Sequence, residues 1–261
     1  MGAKYHFSNI IGASDAIKEV FALMEEAIDS CSDVLITGET GTGKELVAKE
    51  IHYNSPRKEH PLLVCNCNGI PKNVLLNQLF GHGKGAFPGA IEGKIGSFEA
   101  AEEGTLILDE IDDMPKDVQS SLLRVLDDRE VQRLGETTTR SIDVRVIAIT
   151  NCDLPNLVEA GRFLFDLCTW LKAFEIHMPS LRERREDIPL LVEHFYQEAC
   201  LQLRRASAGF TPDAMEMLSR YPWPGNVREL RSIIRRACAQ AGEEEQIQIH
   251  HLPSQIFSRG R

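Results

Sequence analysis

No stretch of this 261-residue sequence approaches the ~20 consecutive apolar residues that a membrane-spanning helix needs. Its opening residues, MGAKYHFSN, hold no apolar region of signal-peptide type, so a cytoplasmic location and no membrane partner are expected. A disulfide framework is missing as well. The seven cysteines, at 31, 65, 67, 152, 168, 200 and 238, are odd in number and scattered, which fits a reducing compartment. Cys65 and Cys67 would share one face of a predicted strand, but no second pair or histidine stands at ligand spacing, so neither reads as a metal ligand. His250-His251 reads as a turn. An excess of positive charge is also absent: the formal net charge is −10. That argues against the chain gripping nucleic acid by itself, because affinity for a phosphate backbone comes from clustered Lys and Arg. The densest basic runs, residues 182–186 and 228–236, are mixed with acids or spread round a helix and read as solvated faces. There is no internal repeat and no low-complexity segment. What remains, 43% hydrophobic and 26% charged residues, is ordinary for a chain that buries a real core.

The stretch GETGTGKE at 38–45 organises the rest. It follows the apolar run Asp33-Val34-Leu35-Ile36-Thr37 and precedes residues 46–51, which have helical spacing. A strand, a glycine-rich loop and a helix form a phosphate-binding unit. Gly41 and Gly43 permit a tight turn that aims backbone N–H groups at phosphate oxygens, and Lys44 would reach the β- and γ-phosphates. Glu45 stands where the general pattern has Ser or Thr for magnesium.

The second informative stretch is Gly104-Thr105-Leu106-Ile107-Leu108-Asp109-Glu110. A continuous apolar run ending in two acids is how a buried parallel strand delivers carboxylates to a site at its C-terminal end. Asp109 would hold Mg²⁺, directly or through water, and Glu110 is placed to orient and deprotonate an attacking water. Residues 144–150 read as another strand, ending at Asn151, where a polar side chain can meet the γ-phosphate or that water.

Strands are also expected at 62–66 and 174–178, with helices at 73–80 and 117–128 and a helix behind a Ser14/Asp15 cap. Between them lies GHGKGAFPGAIEGKIG, residues 81–96, whose glycine content predicts a long, mobile, functional loop. Alternating strands and helices imply a parallel sheet covered on both faces. After Pro179 the pattern is only helical: 186–203, a helix capped by Thr211 with Pro212 at its first position, and 226–241. The expected fold is an α/β phosphate-loop core over 1–180 and a small helical lid over 181–261.

The chain resembles the central AAA+ ATPase domain of bacterial sigma-54-dependent transcriptional activators over residues 7–252. The resemblance is carried by GETGTGKE at 38–45, LFGHGKGAFPGA at 79–90, GTLILDEIDDMP at 104–115, VRVIAITN at 144–151, LRERREDIP at 181–189 and WPGNVREL at 223–230. It implies a parallel five-stranded AAA+ core with a helical lid, and ATP with Mg²⁺ as cofactors. It also implies self-association into a ring, usually a hexamer, and hydrolysis that drives a loop against sigma-54 RNA polymerase. By position, ATP would be bound by Gly38, Glu39, Thr40, Gly41, Thr42, Gly43, Lys44 and Glu45 with Ile11 and Arg228, the last as second sensor. Asn151 would be the first sensor, and Asn66 the switch that engages the catalytic glutamate. The sigma-54 loop would be Gly85, Ala86, Phe87, Pro88, Gly89 and Ala90. DNA contact is expected only through a helix-turn-helix domain, which in the family follows such a domain.

The departures are specific. Pro88 stands where the family has the threonine that touches sigma-54, removing a hydroxyl and a backbone donor. Gln78 replaces a usual glutamate at the base of the loop. Leu164 and Trp170 occupy the positions of two arginines that reach the neighbouring subunit's ATP, and Arg162 and Lys172 are each two residues away from a required position. Two readings therefore stand: an ATP-driven remodeller of sigma-54 RNA polymerase, or a hydrolysis-deficient module that controls transcription by ATP binding alone. A metabolic kinase is disfavoured, since no second-substrate signature is present.

Overall fold

The computed structural model describes residues 5–203, 209–241 and 246–258. They fall into two compact units. The first comprises the residues up to Phe7, Ala22–Thr37 and Lys44–His177; the second comprises Ser8–Phe21, Gly38–Gly43 and the residues from Met178 onward. Residues 38–43 thus cluster with residues far along the chain.

The chain enters helix α1 (Asp15–Ser30), where the Ser14 hydroxyl accepts the Ile17 N–H at 3.4 Å as a cap. The first unit is then built from β1 (Val34–Thr37), α2 (Lys44–Tyr53), β2 (Leu62–Asn66), α3 (Lys72–Phe80), β3 (Gly81–His82), β4 (Lys94–Ile95) and α4 (Ser97–Ala100). It continues through β5 (Thr105–Asp109), α5 (Lys116–Asp128), β6 (Glu130–Gln132), β7 (Thr139–Ser141), β8 (Arg145–Ile149), α6 (Leu154–Glu159), α7 (Phe165–Leu171) and β9 (Glu175–His177). Five of these strands form one parallel sheet in the order β2-β5-β8-β1-β9. The central strands are buried along almost their whole length, which is why they read as unbroken apolar runs. Because all five run the same way, Thr37, Asp109 and Ile149 end at one edge, the edge where open α/β sheets place their ligands.

The glycine-rich segment at 81–96 departs from the expected unstructured loop. β3 and β4 pair antiparallel at its base, with Gly81 opposite Ile95. Gly81 has φ +72°, and a Cβ there would stand 2.3 Å from the Lys94 carbonyl, so only glycine fits this close approach. The His82 ring lies 4.9 Å from that of Phe87, and its nitrogens meet Asn77 Oδ1 and the Glu92 carbonyl. At the tip, the Gly85 N–H donates to Ala90 O at 2.8 Å. Side-chain anchoring at the base overrides the composition.

The second unit contains α8 (Ile188–Leu203), α9 (Pro212–Arg220), α10 (Asn226–Gln240) and α11 (Gln255–Ser258). α9 starts as its sequence predicts, with the Thr211 hydroxyl accepting the Ala214 N–H and Pro212 in the first turn. The core here is made by residues such as Leu191, Val192, Leu218, Trp223, Leu230 and Ile234. The basic run at 182–186 is not a solvated face throughout. Arg184 is 2% exposed and its guanidinium donates to the Thr42 carbonyl at 3.1 Å. Nearby Asp187 is wholly buried and accepts from the Ala13 and Ser14 N–H groups and the Ser14 hydroxyl at 2.6, 2.8 and 2.7 Å. A buried charge survives only with such partners. The arginines of 228–236 do stay exposed. Among the described residues no helix is long and apolar enough to cross a membrane.

Candidate functional site

The phosphate loop takes its shape within the second unit. Gly38, Gly41 and Gly43 have φ of +136°, +83° and +106°, a region that favours glycine. A Cβ on Gly41 would stand 2.5 Å from the Gly225 carbonyl. Three successive loop carbonyls are taken by this unit: Thr40 O by Asn226 Nδ2 at 3.1 Å, Gly41 O by the Arg228 N–H at 3.2 Å, and Thr42 O by Arg184. Within the loop the Thr42 N–H turns back to the Glu39 carbonyl at 3.4 Å, so the loop is closed on itself as well as held at its carbonyls. Glu39 is spoken for: Arg182 pairs with both its oxygens and Asn226 donates to Oε2 at 3.1 Å. The Thr42 hydroxyl donates to Glu39 O at 2.8 Å. Ile11 packs against the core of this unit, and the Arg228 side chain is exposed.

The acidic centre belongs to the first unit. Lys44 opens α2, and Glu45 behind it pairs with Lys49 at 2.6 Å. Asp109 ends β5, and its Oδ1 accepts the Glu110 N–H at 3.1 Å. Burial, then the Glu110 carboxylate, push the Asp109 carboxyl above its ordinary value; the Glu110 N–H opposes this, Glu45 adds to it, and Lys44 opposes it in turn. The Asp109 carboxylate thus lies within reach of the Lys44 field and is short of positive charge. That deficit and the hard oxygen donors fit Mg²⁺, which keeps water and phosphate oxygens for most of its shell. No group of three or more His, Cys, Asp or Glu side chains able to hold a metal occurs among the described residues, so Asp109 would supply only part of that shell.

Asn66 does not take the expected partner. Its Nδ2 donates to Asp109 Oδ2 at 3.2 Å, because β2–β5 register sets these two residues opposite each other. The Glu110 carboxylate is held by Asn68 instead. Sequence reasoning missed Asn68, although its spacing from Asn66 is that of one face of an extended chain.

Asn151 is exposed just beyond β8. Its Oδ1 accepts from the Cys152 thiol at 3.1 Å, and burial, then Asp112, push that thiol up to about 11, so it keeps its proton. Thr150 Oγ1 donates to Asp112 Oδ1 at 2.5 Å and accepts the Cys152 N–H at 3.0 Å, bracing the turn.

Of the loop 85–90, Phe87, Pro88 and Gly89 are exposed while Ala90 is buried. Leu164 and Trp170 pack against the core of the first unit, and the Arg129 guanidinium sits 5.8 Å from the Trp170 ring centre. Arg162 is exposed, and Lys172 pairs with Glu175 at 3.5 Å.

Comparison with known proteins follows this geometry closely. Residues 10–177 match the sigma-54 interaction domain and residues 182–261 match the AAA+ ATPase lid domain. The chain is 48% identical over 229 residues to the DNA-binding transcriptional activator HyfR of Escherichia coli, covering 88% of this chain and 34% of that protein. It is 44% identical over 250 residues to the DNA-binding transcriptional regulator NtrC of the same organism, covering 96% and 53%. A crystal structure of NtrX from Brucella abortus in complex with ADP superposes with a TM-score of 0.87 at 35% identity, covering 95% of this chain and 55% of that one. The chain therefore spans only 34–53% of the length of the relatives HyfR and NtrC. With its core and its helical region both matched, this chain belongs to the sigma-54 interaction domain family of AAA+ proteins.

Proposed function

We propose that this chain is the ATP-binding AAA+ domain of a sigma-54-dependent transcriptional regulator. The observation that carries the reading is the phosphate loop with its three left-handed glycines and outward-held carbonyls, leading straight into Lys44. Structures of the relative NtrX are described in complex with ADP and with ATP, which supports the same ligand class here. In this reading residues Gly38 to Glu45, with Ile11 and Arg228, hold the nucleotide. Asp109 holds Mg²⁺, directly or through water, and the ion would neutralise charge on the phosphate oxygens. Glu110 orients and deprotonates the attacking water, and Asn151 senses the terminal phosphate.

ATP should raise the melting temperature through linkage, by the equivalent of about 2.7 kcal/mol at a hundredfold excess over the dissociation constant. Lys44→Ala should abolish that shift. An unchanged wild-type melting temperature at millimolar Mg-ATP, with no heat of binding in calorimetry, rejects the reading.

The partner is sigma-54 RNA polymerase, met by the loop at 85–90 in a ring of subunits, a hexamer in this reading; DNA would be met through a helix-turn-helix domain. Pro88 lies exposed at the tip of that loop and stiffens it, with φ held at about −65°. Wild-type protein is expected to bind sigma-54 weakly in gel-shift, even with a transition-state mimic of hydrolysis, and Pro88→Thr is expected to strengthen binding. Tight wild-type binding that Pro88→Thr abolishes would make the proline an adapted contact instead.

A second reading is favoured by one observation, the inward packing of Leu164 and Trp170. A domain without arginines there binds ATP and hydrolyses it little, and acts as a regulatory module. Steady-state turnover over a range of protein concentrations separates the two, because ring-dependent hydrolysis rises with concentration.

A further inference from the structure

Helix α10 buries one side and leaves the other bare. Leu230, Ile233, Ile234, Ala237 and Cys238 enter the core of the second unit at helical spacing, while Arg231, Ser232, Arg235 and Arg236 stand exposed on the opposite side. Arg231 pairs with Glu198 of α8, and its guanidinium lies 6.0 Å from the Phe195 ring centre. Arg235 and Arg236 have no acidic partner among the described residues. Arg231 and Arg235, four residues apart, share a helix face and repel each other. A helix C-terminus favours cations within its last turn, but α10 runs on to Gln240, a turn beyond these arginines, so the dipole does not account for them. Together with Leu203 and Ala239 these side chains line an open groove of about 700 Å³.

The chemistry of the row selects its partner. A guanidinium fork matches a phosphate, two N–H groups to two oxygens, and a serine hydroxyl donates to the same oxygens. From 231 to 236 the helix rises about 7.5 Å, at ~1.5 Å per residue. Phosphates on one strand of a duplex recur every ~3.4 Å along its axis, so the row meets about three of them. The net charge of −10 does not forbid this. Charges are screened beyond ~8 Å at physiological salt, so a phosphate at the row feels these arginines and little of the acids elsewhere. Single-stranded nucleic acid would be held by stacking on aromatic rings, and α10 carries none.

We infer that the face of α10 formed by Arg231, Ser232, Arg235 and Arg236 is a sequence-independent contact for the phosphate backbone of double-stranded DNA. It goes beyond the nucleotide reading, to which Arg228, one turn earlier, is left. A contact of this size is weak alone and adds to whatever else holds the protein on DNA.

Fluorescence anisotropy of a labelled duplex of about 20 base pairs and arbitrary sequence tests it. Wild-type protein is expected to bind with a Kd of about 10⁻⁴–10⁻⁵ M at low salt, and about fortyfold more weakly on going from about 50 to 200 mM, as three phosphate contacts require. Arg235→Ala/Arg236→Ala is expected to bind at least about tenfold more weakly at low salt, with the slope of log K against log salt shallower by about two. Arg235→Lys/Arg236→Lys keeps the charge and is expected to keep the slope; a shallower slope there overturns the contact. Arg124→Ala/Arg220→Ala removes the same charge from exposed arginines elsewhere and is expected to stay within about twofold of wild type. No duplex binding, equal losses in the two alanine variants, or displacement of the duplex by Mg-ATP also overturns it. Binding to polyglutamate as tight as to the duplex overturns it in favour of an acidic protein partner.

Discussion

Wild-type protein is expected to bind ATP yet hydrolyse it near background, and Leu164→Arg with Trp170→Arg is expected to raise turnover where subunits associate. An arginine finger stabilises charge developing on the transferring phosphoryl group and accounts for roughly 10³–10⁵ in rate. At about 1.4 kcal/mol per decade, that is on the order of 4–7 kcal/mol of transition-state stabilisation. Ground-state affinity depends on the phosphate loop, so it should survive in wild type. The structure sharpens how the variants are built. The Leu164 side chain packs on the core, and its backbone N–H donates to Gln119 Oε1 at 2.8 Å, so its backbone is held whatever the side chain. Trp170 carries the Arg129 guanidinium over its ring, and an arginine there loses that contact, worth about 0.5–1 kcal/mol, and meets a like charge. Leu164→Arg alone is therefore the milder first variant. Assembly of each variant is checked by sedimentation before its turnover is compared. Wild-type turnover within tenfold of ordinary family members would refute the expectation and point to Arg162, Lys172 or another cation as the finger.

Trp223→Ala is expected to cost about 3–5 kcal/mol in urea unfolding, the range for truncating a buried tryptophan. Trp223 is completely buried in the core of the second unit, its Nε1 donates to the Leu218 carbonyl at 2.9 Å, and its ring meets that of Tyr221 edge-on at 5.0 Å. Trp223→Phe keeps an aromatic ring and loses that hydrogen bond, worth about 1 kcal/mol, with a smaller cavity, so it should fall well short of the alanine variant. Function should move with stability. The Trp223 carbonyl accepts the Asn226 N–H at 2.9 Å, and Asn226 holds Glu39 and the Thr40 carbonyl in the phosphate loop. Trp223→Ala is therefore expected to weaken ATP binding without touching nucleotide. Full ATP affinity in a variant destabilised by this amount would detach the turn at 223–226 from loop geometry.

The sequence by itself determined the strands and the ends that carry chemistry. A strand buried on both faces needs a continuous apolar run, so residues 104–110 could be read as β5 with its two acids, and 144–151 as β8 ending at Asn151. The glycines of 38–43 were legible because left-handed backbone excludes most other residues, and the Thr211-Pro212 start of α9 because a cap is a local hydrogen bond. Only the tertiary structure decided the rest. Which asparagine meets which acid depends on β2–β5 register, which a single strand does not encode, so the Asn66 contact went to Asp109 and Glu110 fell to Asn68. Arg184 looked solvated because its partner, the Thr42 carbonyl, lies far away along the chain; a charge is buried or exposed according to partners that only folding supplies. The glycine-rich segment looked free for the same reason, since the groups that tie down His82 and Gly81 come from α3 and from the far end of the segment.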